Sequence, residues 1–371
     1  MDHRNNFDVL RLFAAFNVVL QHAAYLQVPW ARPLPLLVAY TSGVPIFFII
    51  SGYLITGTFF RNDGDVGVYL RNRCLRIYPG LWLNLAIILA LLIGFGALPI
   101  GSLLSPQFLR YWTVVLATGS DAVTSWLLSP YPFAWNDALP FLPTTALWTI
   151  ELELGFYLIV PAILLPPIRR RRWASVAVMF AATIYSHYLA TVTVTDDSTR
   201  VTNPLFYFWF FGIGAIFSLL WPRIDRLFRG KFMLWALLYA EMVVLIGDQN
   251  GIAFYRPPTL QSTALTILLA CCVMSAAFTW TNLSKPLAGN DISYGIYLHH
   301  MPVVMLLHAF GWQGFSAAVL LIVTTAIAAI ATWFAVEQPA LRFKIHSVRR
   351  SPASNAGERP DVLDGAAYRA G

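Results

Sequence analysis

This sequence predicts an all-α, polytopic membrane helix bundle of about ten transmembrane helices, with the N- and C-termini cytoplasmic. Three observations carry that reading. Of the 371 residues, 58% are hydrophobic and only 12% are charged, about half the charged share of an ordinary soluble domain. The mean hydropathy of +0.62 means more apolar surface than one aqueous core can hide. Positive residues also recur in alternate connections, as they do where loops face the cytoplasm.

The elements follow in order. Stretches with the ~20 mainly apolar residues that a spanning helix needs lie at roughly 7–26, 36–60, 78–98, 143–166, 173–193, 203–221, 232–249, 260–281, 292–309 and 314–336. The first does not read as a cleaved signal peptide, because Asp8 and Arg11 interrupt its start and no small-residue cleavage site follows. With a cytoplasmic N-terminus, 20 of the 25 Lys and Arg residues fall in inside segments and 4 in outer loops. The formal charge of +7 is therefore a statement about loops, and no nucleic-acid partner is expected. The longest outer connection, 99–142, is rich in Pro, Trp and Ser. Pro106, Pro130, Pro132, Pro140 and Pro143 argue against a regular helix throughout it. Residues 1–345 read as one transmembrane domain, and 346–371 as a cytoplasmic tail of disordered composition. Cys74, Cys271 and Cys272 supply neither a disulfide framework nor metal-ligand spacing, so no metal is expected.

Ionisable groups inside spans are costly, and each is a functional candidate. In the first span Asp8, Arg11 and His22 fall within about 60° of one another at ~100° per residue. Arg11 and His22 stand about 16 Å apart along the axis, too far for direct contact. The bland alternative is an interfacial Asp8–Arg11 ion pair and a satisfied packing histidine. Ser51-Gly52 in the second span reads first as a close-packing point, and no nucleophile elbow surrounds it. Arg73 and Arg76 share a helical face and suit a phosphate, or serve as ordinary loop charge. Glu151 and Glu153 point to nearly opposite sides of a helix, so at most one faces a given site. His299 and His300 diverge by about 100° and make poor ligands for one metal. A transporter or flippase, with intramembrane charges along a substrate path, is the rival class on composition alone.

Taken in order, five short motifs resemble the acyltransferase-3 family over residues 5–345: Arg11-x-x-Ala14 with His22, Phe47-Phe48-x-x-Ser51-Gly52, Arg73-x-x-Arg76-Ile77-x-Pro79, Trp148-x-x-x-x-Glu153-x-x-Phe156-Tyr157, and Ser293-Tyr294-x-x-Tyr297-Leu298-x-His300-x-Pro302. Thr149 and Ile150 stand where Ser and Leu are common, a mild departure. The resemblance implies a stand-alone transmembrane domain of a bacterial inner membrane that moves an acyl group, usually acetyl, from cytoplasmic acyl-CoA to a carbohydrate hydroxyl. By the same resemblance His22 is catalytic, Arg11 is its partner arginine and Glu153 the motif acid; on mechanistic grounds Glu153 or Asp8 is the expected orienting acid for His22. Arg11, Arg73 and Arg76 then hold the acyl-CoA phosphates, and Ser51, Tyr297 and His300 meet substrate. General-base and acyl-histidine chemistry at His22 both remain open at this stage.

Overall fold

A computed structural model describes residues 5–28, 36–119, 144–193, 203–247, 251–252, 256–287 and 289–345. The tail expected at 346–371 and the portion of the long connection from 120 to 143 lie outside the described residues. Among the described residues all regular structure is helical. The principal helices are α1 Phe7–His22, α2 Gly43–Arg61, α3 Val66–Gly94, α4 Pro106–Thr118, α5 Trp148–Ile163, α6 Arg172–Val192, α7 Phe208–Phe228, α8 Phe232–Ile246, α9 Leu260–Ala277, α10 Ser293–Ala309 and α11 Gly314–Thr332. Each of the ten apolar stretches overlaps one of them. Among the described residues, six helical stretches are long and apolar enough to cross a membrane: Phe7–Leu26, Leu37–Arg61, Val66–Gly94, Arg172–Val192, Leu260–Ala277 and Gly314–Leu341.

Two boundaries differ from the sequence reading, for local reasons. The long connection carries α4. Ser105 caps it by accepting from the Phe108 N–H at 3.2 Å, and Pro106 sits at the first turn, where its missing N–H costs nothing. α3 begins at Val66, 12 residues or about three turns before the apolar run at 78–98. Its N-cap Asp65 accepts from the Val68 N–H at 2.9 Å, and the helix continues through Pro79. Arg71, Arg73 and Arg76 are therefore helical residues rather than loop decoration.

Buried polar side chains set how the helices meet. Asn6 donates from its side-chain amide to the Thr279 carbonyl at 2.6 Å and from its backbone N–H to the Ala277 carbonyl at 2.9 Å, fixing the start of α1 against the end of α9. Asn17, 3% exposed within α1, accepts from the Gly43 N–H at 3.0 Å. It thereby supplies the first turn of α2 with the acceptor that a helix start lacks. Pro302 has no N–H for the carbonyl four residues earlier, and Asn84 of α3 donates to that Leu298 carbonyl at 2.7 Å. The α10 helix is thus joined to α3 at the point where proline interrupts its own ladder.

Small residues permit the closest crossing. A Cβ on Gly52 would lie 1.9 Å from the Phe211 carbonyl oxygen, and one on Gly214 would lie 1.9 Å from that of Ile49. The two glycines let α2 and α7 approach backbone to backbone, as membrane helices do at small-residue faces.

Three apolar clusters fill the bundle. One joins α2, α3, α5 and α7 through Phe48, Leu81, Phe156 and Phe211. A second joins the start of α1 to Trp221, Phe228 and Phe278 near α7 and α9. The third packs Ala15, Val19 and Leu26 against Val304, Ala318 and Leu321. Phe47 borders all three. On α8 only Tyr239 is buried, while Leu237, Val244 and Leu245 point outward, a surface that suits lipid rather than water.

Substituting Gly52 or Gly214 by Val is expected to cost several kcal/mol through overpacking, and to lower the melting temperature of the detergent-solubilised protein or abolish folded material. Gly94→Ala, where nothing lies within 4 Å of the added carbon, is expected to stay within about 0.5 kcal/mol. Thermal unfolding of the three variants in parallel checks the contrast.

Candidate active site

At the end of the bundle that holds the start of α1, four helical segments converge on one charge knot. Asp291, just before α10, accepts from Arg11 of α1 at 2.8 Å and from Arg76 of α3 at 2.6 Å, both on Oδ2. Its Oδ1 accepts from the Ser293 N–H at 3.3 Å and from the Ser293 hydroxyl. Burial opposes the charge of this carboxyl, but Arg76 and Arg11, with the Ser293 donors, outweigh it and hold its pKa at about 2. Arg76 makes a second ion pair, at 3.0 Å, with Glu337, which is 2% exposed. Glu337 is brought there by a π-helical turn, Trp333–Glu337, at the end of α11. The Arg76 guanidinium also lies 5.5 Å from the Tyr294 ring and 5.6 Å from the Trp333 ring, so two aromatic rings as well as two carboxylates surround its charge.

Beside this knot is a cavity of about 250 Å³, where α2, α3, α5 and α10 face one another. Its wall carries four cations, Arg11, Arg73, Arg76 and Lys344, and two carboxylates, Glu153 and Asp291. Arg11 and Arg76 are already paired. Neither Arg73 nor Lys344 has an ion-pair partner among the described residues, and the buried Nε of Arg73 has no hydrogen-bond partner. The wall thus presents positive charge that the protein does not itself neutralise.

Farther along the wall Glu153 accepts from Tyr157 at 2.6 Å and from Ser51 at 3.2 Å. The Tyr297 hydroxyl donates to the Ala146 carbonyl, so it accepts from Thr149, at 2.5 Å. Tyr297 and Phe47 line the cavity together, with ring centroids 6.0 Å apart. The Tyr297 ring also stands 5.7 Å from that of His300, on the next turn of α10.

His300, fully buried, forms a pair with His22, their rings 4.9 Å apart. Its Nδ1 is 2.6 Å from the Tyr297 carbonyl and its Nε2 is 3.1 Å from His22 Nδ1. His22 Nδ1 is also 3.0 Å from the Val18 carbonyl. A carbonyl only accepts, so each Nδ1 carries the proton. His300 Nε2 is then the acceptor toward His22, and the bare lone pair of the chain is left on His22 Nε2.

A family described as an acyltransferase domain matches residues 4–336. The chain belongs to the acyltransferase-3 family. It is 33% identical over 366 residues to Nodulation protein 10 of Rhizobium leguminosarum bv. viciae, covering 94% of this chain and 96% of that one. It is 23% identical over 348 residues to a Staphylococcus aureus (strain MSSA476) protein named "Putative O-acetyltransferase", covering 85% of this chain but 53% of the relative. The chain therefore spans about half the length of that relative. A "Putative acetyltransferase" of Acidianus two-tailed virus is 24% identical over 305 residues, covering 81% of this chain and 84% of the relative. No solved structure matches. As a member of this family with several apolar spanning helices, the chain is an integral membrane enzyme, an acyltransferase of groups other than aminoacyl.

The acyltransferase's sequence-predicted residues divide into three groups. Arg11, Arg73, Arg76, Ser51, Glu153 and Tyr297 meet around one cavity. His22 and His300 form the neighbouring imidazole pair, and the hydrogen bonds of His22 run to Val18 and His300. Asp8 lies one turn from Arg11, whose ion pair is with Asp291. Glu153 lines the cavity and Glu151 does not. Three site residues escaped the sequence reading: Asp291, Glu337 and Lys344. For Asp291 a signal existed, an acid just ahead of Ser293 at the start of an apolar run.

Asp291→Asn leaves two guanidiniums without their shared counter-ion. It is expected to destabilise the protein by about 3 kcal/mol, the order found when one partner of a buried pair is removed. Arg11→Gln keeps the Arg76 bridge and is expected to cost less. Thermal melts of the purified variants give the ranking.

Proposed function

We propose that this acyltransferase moves an acetyl group from cytoplasmic acyl-CoA to a hydroxyl of a carbohydrate, such as an envelope or exported polysaccharide, at a bacterial plasma membrane. Ten crossings with both termini cytoplasmic would put the Arg11 end of the bundle at the donor's side, in keeping with the charge bias of the connections. The observation that carries the reading is the pairing, in one bundle, of a cation-walled cavity and a histidine with a free Nε2 lone pair. Phosphates suit the first, and proton abstraction suits the second. Relatives named as O-acetyltransferases support the acetyl group and the oxygen acceptor.

In this mechanism His22 Nε2 takes the proton of the acceptor hydroxyl as its oxygen attacks the thioester carbonyl. The C–S bond breaks, CoA leaves as the thiolate, and the proton on His22 passes to that sulfur, returning the neutral imidazole. His300 Nε2 accepts from His22 Nδ1–H throughout. It thus takes the orienting part that a carboxylate plays in other His-based sites. Glu153 is assigned to the cavity wall, where it holds the Ser51 and Tyr157 hydroxyls. Asp8 is assigned to the charge balance around Arg11 and Asp291.

Purified protein with labelled acetyl-CoA and acceptor glycan tests this. His22→Ala is expected to lose transfer while CoA binding survives; transfer retained in that variant sinks the mechanism. His300→Leu is expected to lower kcat on the order of 100-fold, with KM for acetyl-CoA changed less than about threefold. Label accumulating on His22 itself would replace the base mechanism with an acyl-histidine. Mass spectrometry of surface glycans with and without the gene identifies the acceptor.

A further inference from the structure

The last described residues, 342–345, run back across α3 and are held there by side-chain bonds. Asn72 donates from its amide nitrogen to the Ile345 carbonyl at 2.7 Å, and its amide oxygen accepts from the Ile345 N–H at 3.0 Å. One side chain thus satisfies both polar groups of a backbone residue, as a neighbouring strand would. Arg71 adds a longer bond to the Phe343 carbonyl at 3.4 Å. Between these two anchored positions sits Lys344, on the wall of the cavity that also holds Arg73.

We propose that Lys344, carried on this strap and set in place by Asn72, is a donor-binding residue that joins Arg73 in the anion site for the acyl-CoA phosphates. The assignment rests on the donor reading above and adds to it which cations do the binding. Of the four cations on the wall, Arg11 and Arg76 have their charge taken up by Asp291 and Glu337. Arg73 and Lys344 are the two without an ion-pair partner among the described residues, and Arg73 has a buried Nε lacking an acceptor. A buried donor without a partner is a position that a ligand acceptor completes. Phosphate oxygens, which accept from several donors at once, fit a guanidinium and an ammonium on one wall. Asn72 and Arg73 are successive residues, so a single turn of α3 both fixes the strap and supplies half of the site.

The electrostatic setting of Lys344 agrees. Burial, then Arg73, Arg76 and Arg11, bring its ammonium down to about 8, with Asp291 acting in the opposite direction. A bound polyanion relieves that repulsion, and a rise in pH through about 8 removes the charge that would bind it.

The full-length protein in detergent or nanodiscs is tested by CoA titration and acetyl-CoA kinetics. Lys344→Gln is expected to raise KM for acetyl-CoA about tenfold, with kcat within about threefold, and Lys344→Arg is expected to restore most of it. Asn72→Ala, checked by its melting temperature to be folded, is expected to shift KM in the same direction by releasing the strap. Acetyl-pantetheine, which lacks the nucleotide, is expected to be used equally by wild type and Lys344→Gln. Wild-type protein that does not bind CoA overturns the donor reading itself. Wild type that binds, with Lys344→Gln and Asn72→Ala binding as tightly, overturns the role of Lys344 and its strap and leaves the donor reading intact. An equal loss with acetyl-pantetheine likewise overturns the phosphate assignment.

Discussion

A single carboxylate oxygen, Oδ2 of Asp291, accepts from both Arg11 and Arg76, and the geometry of the charged end of the molecule depends on it. Two guanidiniums in a poorly solvated setting repel one another and are costly without counter-ions. With Asp291 between them, and Glu337 on the far side of Arg76, α1, α3, the start of α10 and the end of α11 share one electrostatic joint. The same joint decides which cations remain uncommitted. Motif arginines that look equivalent in the sequence are unequal in the fold: both line the cavity, but Arg76 is paired with two acids while Arg73 has no ion-pair partner among the described residues.

The imidazole pair lies apart from that joint. α1 carries Arg11 at one end and His22 at the other, and α10 begins beside Asp291 and carries Tyr297 and His300 farther along. The two helices pack side by side, so their charged ends meet at the knot and their imidazoles meet beyond the cavity. Tyr297 belongs to both regions. It lines the cavity, and its carbonyl fixes the proton on His300 Nδ1.

Much of this was legible in the sequence. Apolar stretches marked where the helices lie, and rare polar residues within them marked the groups that the fold gathers at the cavity and the imidazole pair. Arg11, Arg73, Ser51, Glu153, Tyr297, His22 and His300 are close in space as the motifs implied. What escaped has physical reasons. The partner of Arg11 lies 280 residues away, and helical spacing on α1 cannot reveal it; nearby Asp8 looked the better candidate. Glu337 reaches Arg76 through a π-helical turn that apolar periodicity does not signal. Lys344 stands past the last apolar run, where a lone lysine reads as loop charge. Pro106, taken as a breaker, starts a helix because of its position after Ser105. Proline says where a helix cannot continue, and equally where one can begin.

The π-helical turn has a further consequence for how the end of the chain is registered. Such a turn accommodates one residue more than an α-helical turn of the same closure. Were the same five residues, Trp333–Glu337, to relax into α-helical geometry, everything after them would therefore rotate by about 100°. Trp333 would keep its place, while the Glu337 carboxylate, the Asn72-bound Ile345 and Lys344 would all turn away together. The π geometry of this turn, rather than its residue count alone, thus sets the phase of all that follows it and aims Glu337 at Arg76.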